Sequence, residues 1–477
     1  MVLQRGMPIH VWGWSDPGEA ITAALEGASQ STTADNLGRW SLYFPPRAAG
    51  GPFQMTVAGT NKLVLEDVLV GDVWFASGQS NMEMPLSGFP NSAVVKNGPE
   101  EIAHATNPNM RLLLIGQKAS PYPLRDFEGQ PAWTACTPAT AAKFSAVAYF
   151  FGREITAREH VPVGLIDSSW GGTPAEAWVS MNGLAAHPSL MPVFGSWARM
   201  ANEEGDNEAQ RAAEKRQDEQ ARQAGAPPPK HQWHPNPASW DPSWLFNGMV
   251  APALELPIKG VIWYQGESNS SLERAPLYEK LFPALIADWR RAWGEGDFPF
   301  LFVQISSFKS SPHEVWPVIR EAQLRTLSLA NTGMAVTIDV GDPDNVHPAD
   351  KETVGARLAL AARALAYDEK IEYSGPLFRS TSTEAGSIRA WFNHTDDGLE
   401  AKNGSLAGFE VAGEDHRFFP ATARVDGHSV VANSAQVSRP IYVRYAWENA
   451  PPVANLYNAA GLPASPFTSE EGMADRR

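Results

Sequence analysis

Between about residues 68 and 370, continuous apolar runs of strand length alternate with helical patterns. The runs are Val68–Ala76, Arg111–Ile115, Val161–Asp167, Gly260–Tyr264, Phe298–Ile305 and Met334–Asp339. One helical pattern extends from Leu277 to Trp293, where apolar side chains recur mostly at three- and four-residue steps. Strands that are apolar throughout are typical of a sheet buried on both faces, and parallel strands need crossover connections such as helices. The sequence therefore predicts an α/β domain with a parallel sheet covered by helices.

Residues 1–67 and 371–477 have a different rhythm. Both consist of short alternating runs separated by Gly, Pro, Asn and Asp turns, which predicts a β-sandwich-like segment at each end. Within the α/β domain of 68–370, residues 199–240 are rich first in Glu, Arg and Gln and then in Pro. We interpret this stretch as an inserted exposed helix and loop, and a solvated decoration is favoured over a substrate lid.

Charge and composition exclude several partners. The chain has 38 Lys and Arg against 53 Asp and Glu, a net charge of −15, which argues against nucleic acid or an anionic membrane surface. No apolar run approaches the ~20 residues of a membrane span. The single cysteine, Cys136, excludes an intramolecular disulfide. No histidine pair has the spacing of a zinc helix, so no metal is assigned.

Two polar motifs follow predicted strands and precede predicted helices. In GQSNM, Ser80 would open a helix whose free N–H groups and dipole suit a developing oxyanion, although a serine there is most often an N-cap. In SSWGGT, Gly171 and Gly172 allow either a tight turn or the close approach of a backbone N–H to substrate. These residues alone leave both interpretations open.

Two further motifs follow later strands. In WYQGESN, residues 263–269, an amide side chain can donate to an oxyanion, whereas Glu267 could act as a general acid. In DNVHP, Asp344 and His347 are three residues apart, and a carboxylate that orients a histidine makes it a general base. The alternative is an ordinary loop histidine beside a capping aspartate. Because all four motifs follow strands, we expect one crevice at the carboxyl ends of the sheet to gather them.

The order of these motifs resembles the SGNH hydrolases and, within them, the sialate O-acetylesterase family. The resemblance covers most of the chain and includes MVLQR at the start, VWGW at 11–14, LFNGM at 245–249 and REAQ at 320–323. It implies an SGNH-type, flavodoxin-like parallel sheet and a serine esterase without cofactor or metal. It implies that Ser80 is the nucleophile, His347 the base and Asp344 the residue that orients it. The implied oxyanion donors are Ser80, Gly171, Gly172, Asn269 and Gln265.

The resemblance also implies an acetylated sugar as substrate, with O-acetylated sialic acid ahead of a plant polysaccharide such as xylan. Arg320, in the REAQ motif, is then expected to bind the sialate carboxylate. Glu267 and Trp170 are further substrate-binding candidates, since sugar CH groups pack well on aromatic faces. Two other classes stay open, namely a glycosidase that uses Glu267 and Asp344, and a non-catalytic sugar-binding protein.

Location and assembly are less constrained. Family members usually carry a secretion signal ahead of the segment that matches Met1, and this chain shows no such pattern. A periplasmic or secreted location is therefore expected from the resemblance alone, and the oligomeric state is not predicted.

Overall fold

A computed structural model describes residues 1–90, 92–203, 208–229, 231 and 234–470. The strands are Val2–Gln4, Ile9–Trp14, Ala20–Leu25, Ala28–Thr33, Arg39–Phe44, Gly50–Ala58, Lys62–Gly78, Asn107–Leu114, Thr134–Cys136, Val163–Ser169, Gly260–Tyr264, Phe300–Val303, Thr332–Ala335, Leu377–Glu384, Ser387–Asn393, Leu399–Ala401, Phe409–Ala412, Phe419–Pro420, Thr422–Asp426, Ser429–Asn433, Tyr442–Tyr445, Leu456–Asn458 and Phe467–Thr468. The α-helices are Ser80–Glu83, Gly98–His104, Pro138–Ala141, Ala146–Glu159, Met181–Ala185, Pro192–Glu203, Glu208–Gln223, Pro237–Trp240, Ala275–Trp293, Trp316–Thr326 and Lys351–Ala366.

The central sheet is almost entirely parallel. In spatial order its strands are Thr332–Ala335, Phe300–Val303, Gly260–Tyr264, Lys62–Gly78, Val163–Ser169, Asn107–Leu114 and the antiparallel edge strand Thr134–Cys136. After Lys62–Gly78 the chain builds one side of the sheet and then crosses to build the other. A reversal of this kind leaves a crevice outside the carboxyl ends of the strands beside it. The predicted α/β architecture is confirmed as a mixed α/β fold with a mostly parallel central sheet.

The helices that cover this sheet pack in pairs. Ala146–Glu159 lies against Lys351–Ala366, and Ala275–Trp293 lies against Trp316–Thr326. The first pair has side-chain N-caps, because the Ser145 hydroxyl accepts from the Ala148 N–H and the Asp350 carboxylate accepts from the Thr353 N–H. The cap at Asp350 fixes where the last helix begins, directly after the loop that carries His347.

The strand Lys62–Gly78 is 17 residues long and joins two environments. Its first part pairs antiparallel with Gly50–Ala58 and is mostly exposed, whereas from Val68 onward every residue is buried. The sequence analysis divided this stretch at residue 68 because the pattern there changes from alternating to continuous. In the structure the change is one of surroundings along a single strand, which carries the chain from the N-terminal β region into the central sheet.

The two β regions differ in how they are packed. The N-terminal strands enclose a core of their own that includes Ile9, Leu25 and Phe44. The C-terminal strands form antiparallel sheets whose buried side chains, such as Val411 and Phe467, belong to the same core as the central sheet. Among the described residues, no helix combines the length and apolar character needed to cross a bilayer.

Candidate functional site

A crevice of about 1090 Å³ lies at the carboxyl end of the central sheet. Each of the four strand-end motifs contributes to its lining, through Ser80, Gly171, Gly172, Glu267 and His347. Trp170 lines it as well. The crevice therefore brings together residues that are up to 267 positions apart in the chain.

Ser80 begins the short helix that follows the central strand Lys62–Gly78. A Cβ atom on Gly171 would lie 3.2 Å from the Ser80 Cβ and 2.7 Å from the Glu83 Oε2, so a larger residue would require the Glu83 carboxylate to move. Among the described residues, no acceptor is found for the backbone N–H of Ser80 or of Gly172. The Gly171 N–H, by contrast, donates to the Glu83 carboxylate at 2.5 Å. The backbone N–H groups of Ser80 and Gly172 are thus the free donors near the Ser80 hydroxyl.

His347 is half-buried in the loop between the last parallel strand and the helix Lys351–Ala366. Its ring meets the ring of Phe89 edge to face, with centroids 5.2 Å apart. Burial, together with the positive charge of Lys351, lowers the pKa of His347 to about 4. The imidazole is therefore neutral at pH 7, which is the form that can accept a proton.

Asp344 is not brought to His347 in this structure. Its side chain is 80% exposed, and its Oδ1 accepts from the Lys309 Nζ at 3.0 Å. The His347 backbone N–H donates to the Asn345 Oδ1, which does not involve the imidazole. The contacts around His347 therefore do not include the carboxylate that the sequence analysis paired with it.

A buried polar network lies beneath the serine and the histidine. The Asn81 Nδ2 donates to the Glu267 Oε1 at 2.6 Å and to the Val346 carbonyl at 3.0 Å, and the Asn81 Oδ1 accepts from the Lys351 Nζ at 2.5 Å. Asn81 thereby ties the serine segment to the histidine loop. Burial lowers the pKa of Lys351 to about 7 and raises the pKa of Glu267. The Glu267 Oε2 is buried and has no hydrogen-bond partner in the described part of the chain.

The amides of Asn269 and Gln265 lie behind the crevice. The Asn269 Oδ1 accepts from the Ala175 N–H and the Gln265 Nε2, and its Nδ2 donates to the Glu176 carboxylate. The Gln265 Oε1 accepts from the Tyr278 hydroxyl. Both side chains are almost wholly buried and neither lines the crevice, so their contacts hold the loops of the scaffold.

Arg320 also differs from its expected role. It is fully buried, and its guanidinium donates to four backbone carbonyls, those of Ile305, Ser306, Glu448 and Asn449. These bonds join the central sheet to the C-terminal β region. Because the side chain does not reach the crevice, Arg320 has a structural position rather than one suited to a substrate carboxylate.

The stretch 199–240 is more than a solvated decoration. The helix Glu208–Gln223 has no fully buried residue among those described, which fits the expected exposed helix. Arg199 and Trp240, at the two ends of the stretch, nevertheless line the crevice. Tertiary packing folds these ends over the carboxyl edge of the sheet, a placement that composition does not encode.

The sequence analysis overlooked three residues of the site. Asn81 stands inside GQSNM, but only the serine in that motif has an obvious chemical role. Lys351 begins an amphipathic helix, where a lysine is ordinarily solvated. Arg274 precedes a long helix and has no motif of its own. Among the described residues, no group of three or more His, Cys, Asp and Glu side chains is arranged to hold a metal ion.

Comparison with known proteins places this geometry in a family. Residues 230–364 match the family model for carbohydrate esterase, sialic acid-specific acetylesterase. The chain is 32% identical to sialate O-acetylesterase of Mus musculus and 31% identical to that of Homo sapiens, each over 98% of this chain and over 92% and 90% of those proteins. It is 37% identical to a carbohydrate acetylesterase of Xanthomonas citri of known structure, with a TM-score of 0.85 over 99% of this chain and 97% of that one.

These likenesses and the fold define a carbohydrate esterase, that is, a carboxylic ester hydrolase. With more than 30% identity over nearly the whole length of its relatives, the chain belongs to the sialate O-acetylesterase family. The family predicted from the motifs is confirmed, and so is the prediction of an ester hydrolase.

Proposed function

We propose that this protein hydrolyses O-acetyl esters of sialic acids through an acetyl-enzyme formed on Ser80. The observation that carries the proposal is that a serine, a neutral histidine and free backbone donors line one crevice in a member of this family. The names of the mouse and human relatives support a sialate as the acetylated sugar.

In the proposed first step, His347 takes the proton of the Ser80 hydroxyl as its oxygen attacks the acetyl carbonyl. The carbonyl oxygen becomes an oxyanion, which the free N–H groups of Ser80 and Gly172 stabilise by about 3–4 kcal/mol each if they are comparable to measured donors. His347 then returns the proton to the departing sugar hydroxyl. A water molecule attacks the acetyl-enzyme by the same route, which releases acetate and restores the serine.

The three other predicted oxyanion donors already have partners within the protein. The Gly171 N–H is occupied by Glu83, and the Asn269 and Gln265 amides are engaged behind the crevice. The proposal therefore assigns the oxyanion to Ser80 and Gly172. Glu83 holds the glycine loop against the serine helix, since its carboxylate bridges the Gly171 N–H and the Gln117 side chain.

Asp344 is proposed to orient His347 when substrate is bound. Its present partner is an exposed lysine, and a surface ion pair of this kind is worth little in water. A side-chain rotation within one short loop would release the carboxylate from Lys309. Catalytic hydrogen bonds are often incomplete before substrate binds and tighten in the complex.

The domain organisation is part of the same proposal. We assign residues 68–370 to an SGNH-type α/β domain, flanked by β segments at 1–67 and 371–477. The order of the parallel strands supports this, because the strand that precedes Ser80 lies where the sheet order reverses.

The direct test measures acetate release by the wild type and by Ser80→Ala. The substrates are an aryl acetate, O-acetylated sialic acid and acetylated xylan. We expect the wild type to act on the aryl acetate and the sialate, and the variant to lose at least about 10³-fold in kcat. We also expect a fluorophosphonate to label the wild type at Ser80. Near-full activity of the variant would remove the mechanism, and acetate release from xylan alone would redirect the substrate to plant polysaccharide.

The glycosidase alternative has less support from the contacts. Glu267 is bound to Asn81, and Asp344 extends into solvent beside Lys309. Release of a sugar rather than acetate from a glycoside would revive it.

A further inference from the structure

Arg274 lies in the wall of the crevice, directly before the long helix Ala275–Trp293. Its side chain is 93% buried, since only 7% of the residue is exposed. The guanidinium carbon is 4.2 Å from the centre of the Trp240 ring, so the planar cation stacks on the indole. This stacking presents the guanidinium as a rigid, oriented group rather than as a mobile surface charge.

The guanidinium of Arg274 has no hydrogen-bond acceptor among the described residues, whereas its backbone N–H donates to the Ser271 carbonyl. The Nη1 is buried without a partner, and the described residues form no hydrogen bond or ion pair with the rest of the guanidinium. A buried guanidinium without an anion or carbonyls costs free energy, as the four-carbonyl cradle of Arg320 illustrates by contrast. A buried arginine on a crevice wall without an acceptor from the protein is typical of a group that binds an acceptor on the ligand.

The acidic side chains nearby do not fill that role. The Glu273 carboxylate is bound to Ser196 and to Arg199. Arg199 also lines the crevice, but its guanidinium is therefore already paired with a carboxylate. Glu267 is bound to Asn81 beneath the serine. Of the two arginines that line the crevice in the described part of the chain, Arg274 is the one that forms no ion pair, although its charge contributes to lowering the pKa of Glu273.

Arg274 and Ser80 line the same crevice. The Trp240 Nε1 donates to the Gly172 carbonyl at 2.6 Å, which fixes the indole on the glycine loop beside the serine. Arg274 lies over the same Trp240 ring, so Trp240 contacts both Arg274 and the glycine loop. A single sugar acid, which carries a carboxylate and an acetylated hydroxyl on different carbons, could contact both ends of this arrangement.

We propose that Arg274, held by Trp240, binds the carboxylate of an acidic sugar and thereby selects anionic over neutral acetylated sugars. The inference rests on the proposed esterase function, because it assigns a substrate contact in the same crevice. A guanidinium matches a carboxylate with two parallel hydrogen bonds, and burial strengthens those bonds.

The experiment measures competitive inhibition of aryl acetate hydrolysis by free sialic acid and by its methyl ester. This readout needs no deacetylation of a sialate, so it separates the carboxylate site from the proposed function. We expect the wild type to bind the acid about 10- to 100-fold more tightly than the ester. In Arg274→Gln we expect this preference to fall to about 1–3-fold, while the kcat on the aryl acetate changes by less than about threefold.

Arg199→Gln is the matched control, because Arg199 lines the same crevice but is already paired. It should keep the preference for the acid. Arg274→Lys keeps the charge but loses the bidentate geometry, so it should give an intermediate preference. An unchanged preference in Arg274→Gln would overturn the inference, as would a wild type that binds acid and ester equally.

Stability provides a second readout. Removing an unpartnered buried cation should leave the melting temperature of Arg274→Gln equal to or above that of the wild type. A variant that fails to fold would give Arg274 a structural role and would also overturn the inference. A wild type that does not hydrolyse the aryl acetate would instead count against the proposed function.

Discussion

The crevice and the polar layer behind it contain the same kinds of side chain, but their hydrogen bonding differs. Behind the crevice, Arg320, Asn269 and Gln265 are each fixed by several protein partners. On the crevice, Arg274 and Glu267 each have a buried polar atom that finds no partner among the residues the structure describes. A buried polar group without a hydrogen bond costs more free energy than a formed hydrogen bond gains. We therefore interpret the side chains behind the crevice as scaffold and those on the crevice as groups available to a ligand.

The difference teaches that a motif does not assign a single role to its members. Gln265, Glu267 and Asn269 share WYQGESN, yet Glu267 lines the crevice and the two amides do not. A short helical turn at Glu267–Asn269 follows the strand, and within it Glu267 lines the crevice while Asn269 donates to Glu176. The following predictions test this division, from the largest expected effect to the smallest.

The first prediction concerns Asp344, the exposed loop residue whose partner should change on substrate binding. We expect Asp344→Asn to lower kcat by about 10²- to 10⁴-fold, because His347 then loses the carboxylate that holds its reactive tautomer. Steady-state kinetics on an aryl acetate checks this. Lys309→Gln, which removes the present partner of Asp344, should change kcat by less than about threefold. A mild effect of Asp344→Asn would limit that residue to its surface ion pair.

The second prediction concerns Arg320 in the scaffold. Arg320→Met should lower the free energy of unfolding by about 3–5 kcal/mol, because four buried carbonyls lose their donor. Urea unfolding, with Arg274→Gln as the comparison, measures the difference. If Arg320→Met kept its stability but lost activity on the acetylated sialate and not on the aryl acetate, the division between scaffold and crevice would be wrong.

The third prediction concerns Asn269. We expect Asn269→Ala to lower the free energy of unfolding by about 1–3 kcal/mol, because Glu176 and the Ala175 N–H lose a buried partner. The kcat of the folded variant should fall less than about tenfold, whereas removal of an oxyanion donor costs about 10²- to 10³-fold. A drop in kcat of that larger size, without loss of stability, would return Asn269 to the oxyanion hole.

The fourth prediction concerns the pH dependence set by Lys351. Protonated His347 cannot act as a base, so kcat/KM should fall as the pH drops toward the pKa of His347, about 4. Lys351→Met removes a positive charge that lowers this pKa, so the acid limb should move to higher pH, by about one unit. Lys96→Gln is the control, since Lys96 pairs with Asp350 on the surface. An acid limb that stays in place would show that burial alone sets the pKa of His347.

Much of the architecture could be predicted from the sequence. Hydrophobic periodicity is a local property, so the strands near Trp74 and Val261 and the helix that ends at Trp293 were predicted close to their observed positions. The motifs also placed Ser80, Gly172 and His347 after strands, and parallel topology then brought them to one edge of the sheet.

The sequence by itself determined the family, the α/β class and the segments that surround the crevice. Only the tertiary structure decided which side chains face it, because partners such as Trp240 and Arg274, or Asn81 and Lys351, are distant in the chain and meet only after packing. Burial and hydrogen bonding depend on neighbours in space. The motif arginine, Arg320, therefore became scaffold, while an arginine outside every motif took the position beside the serine's crevice.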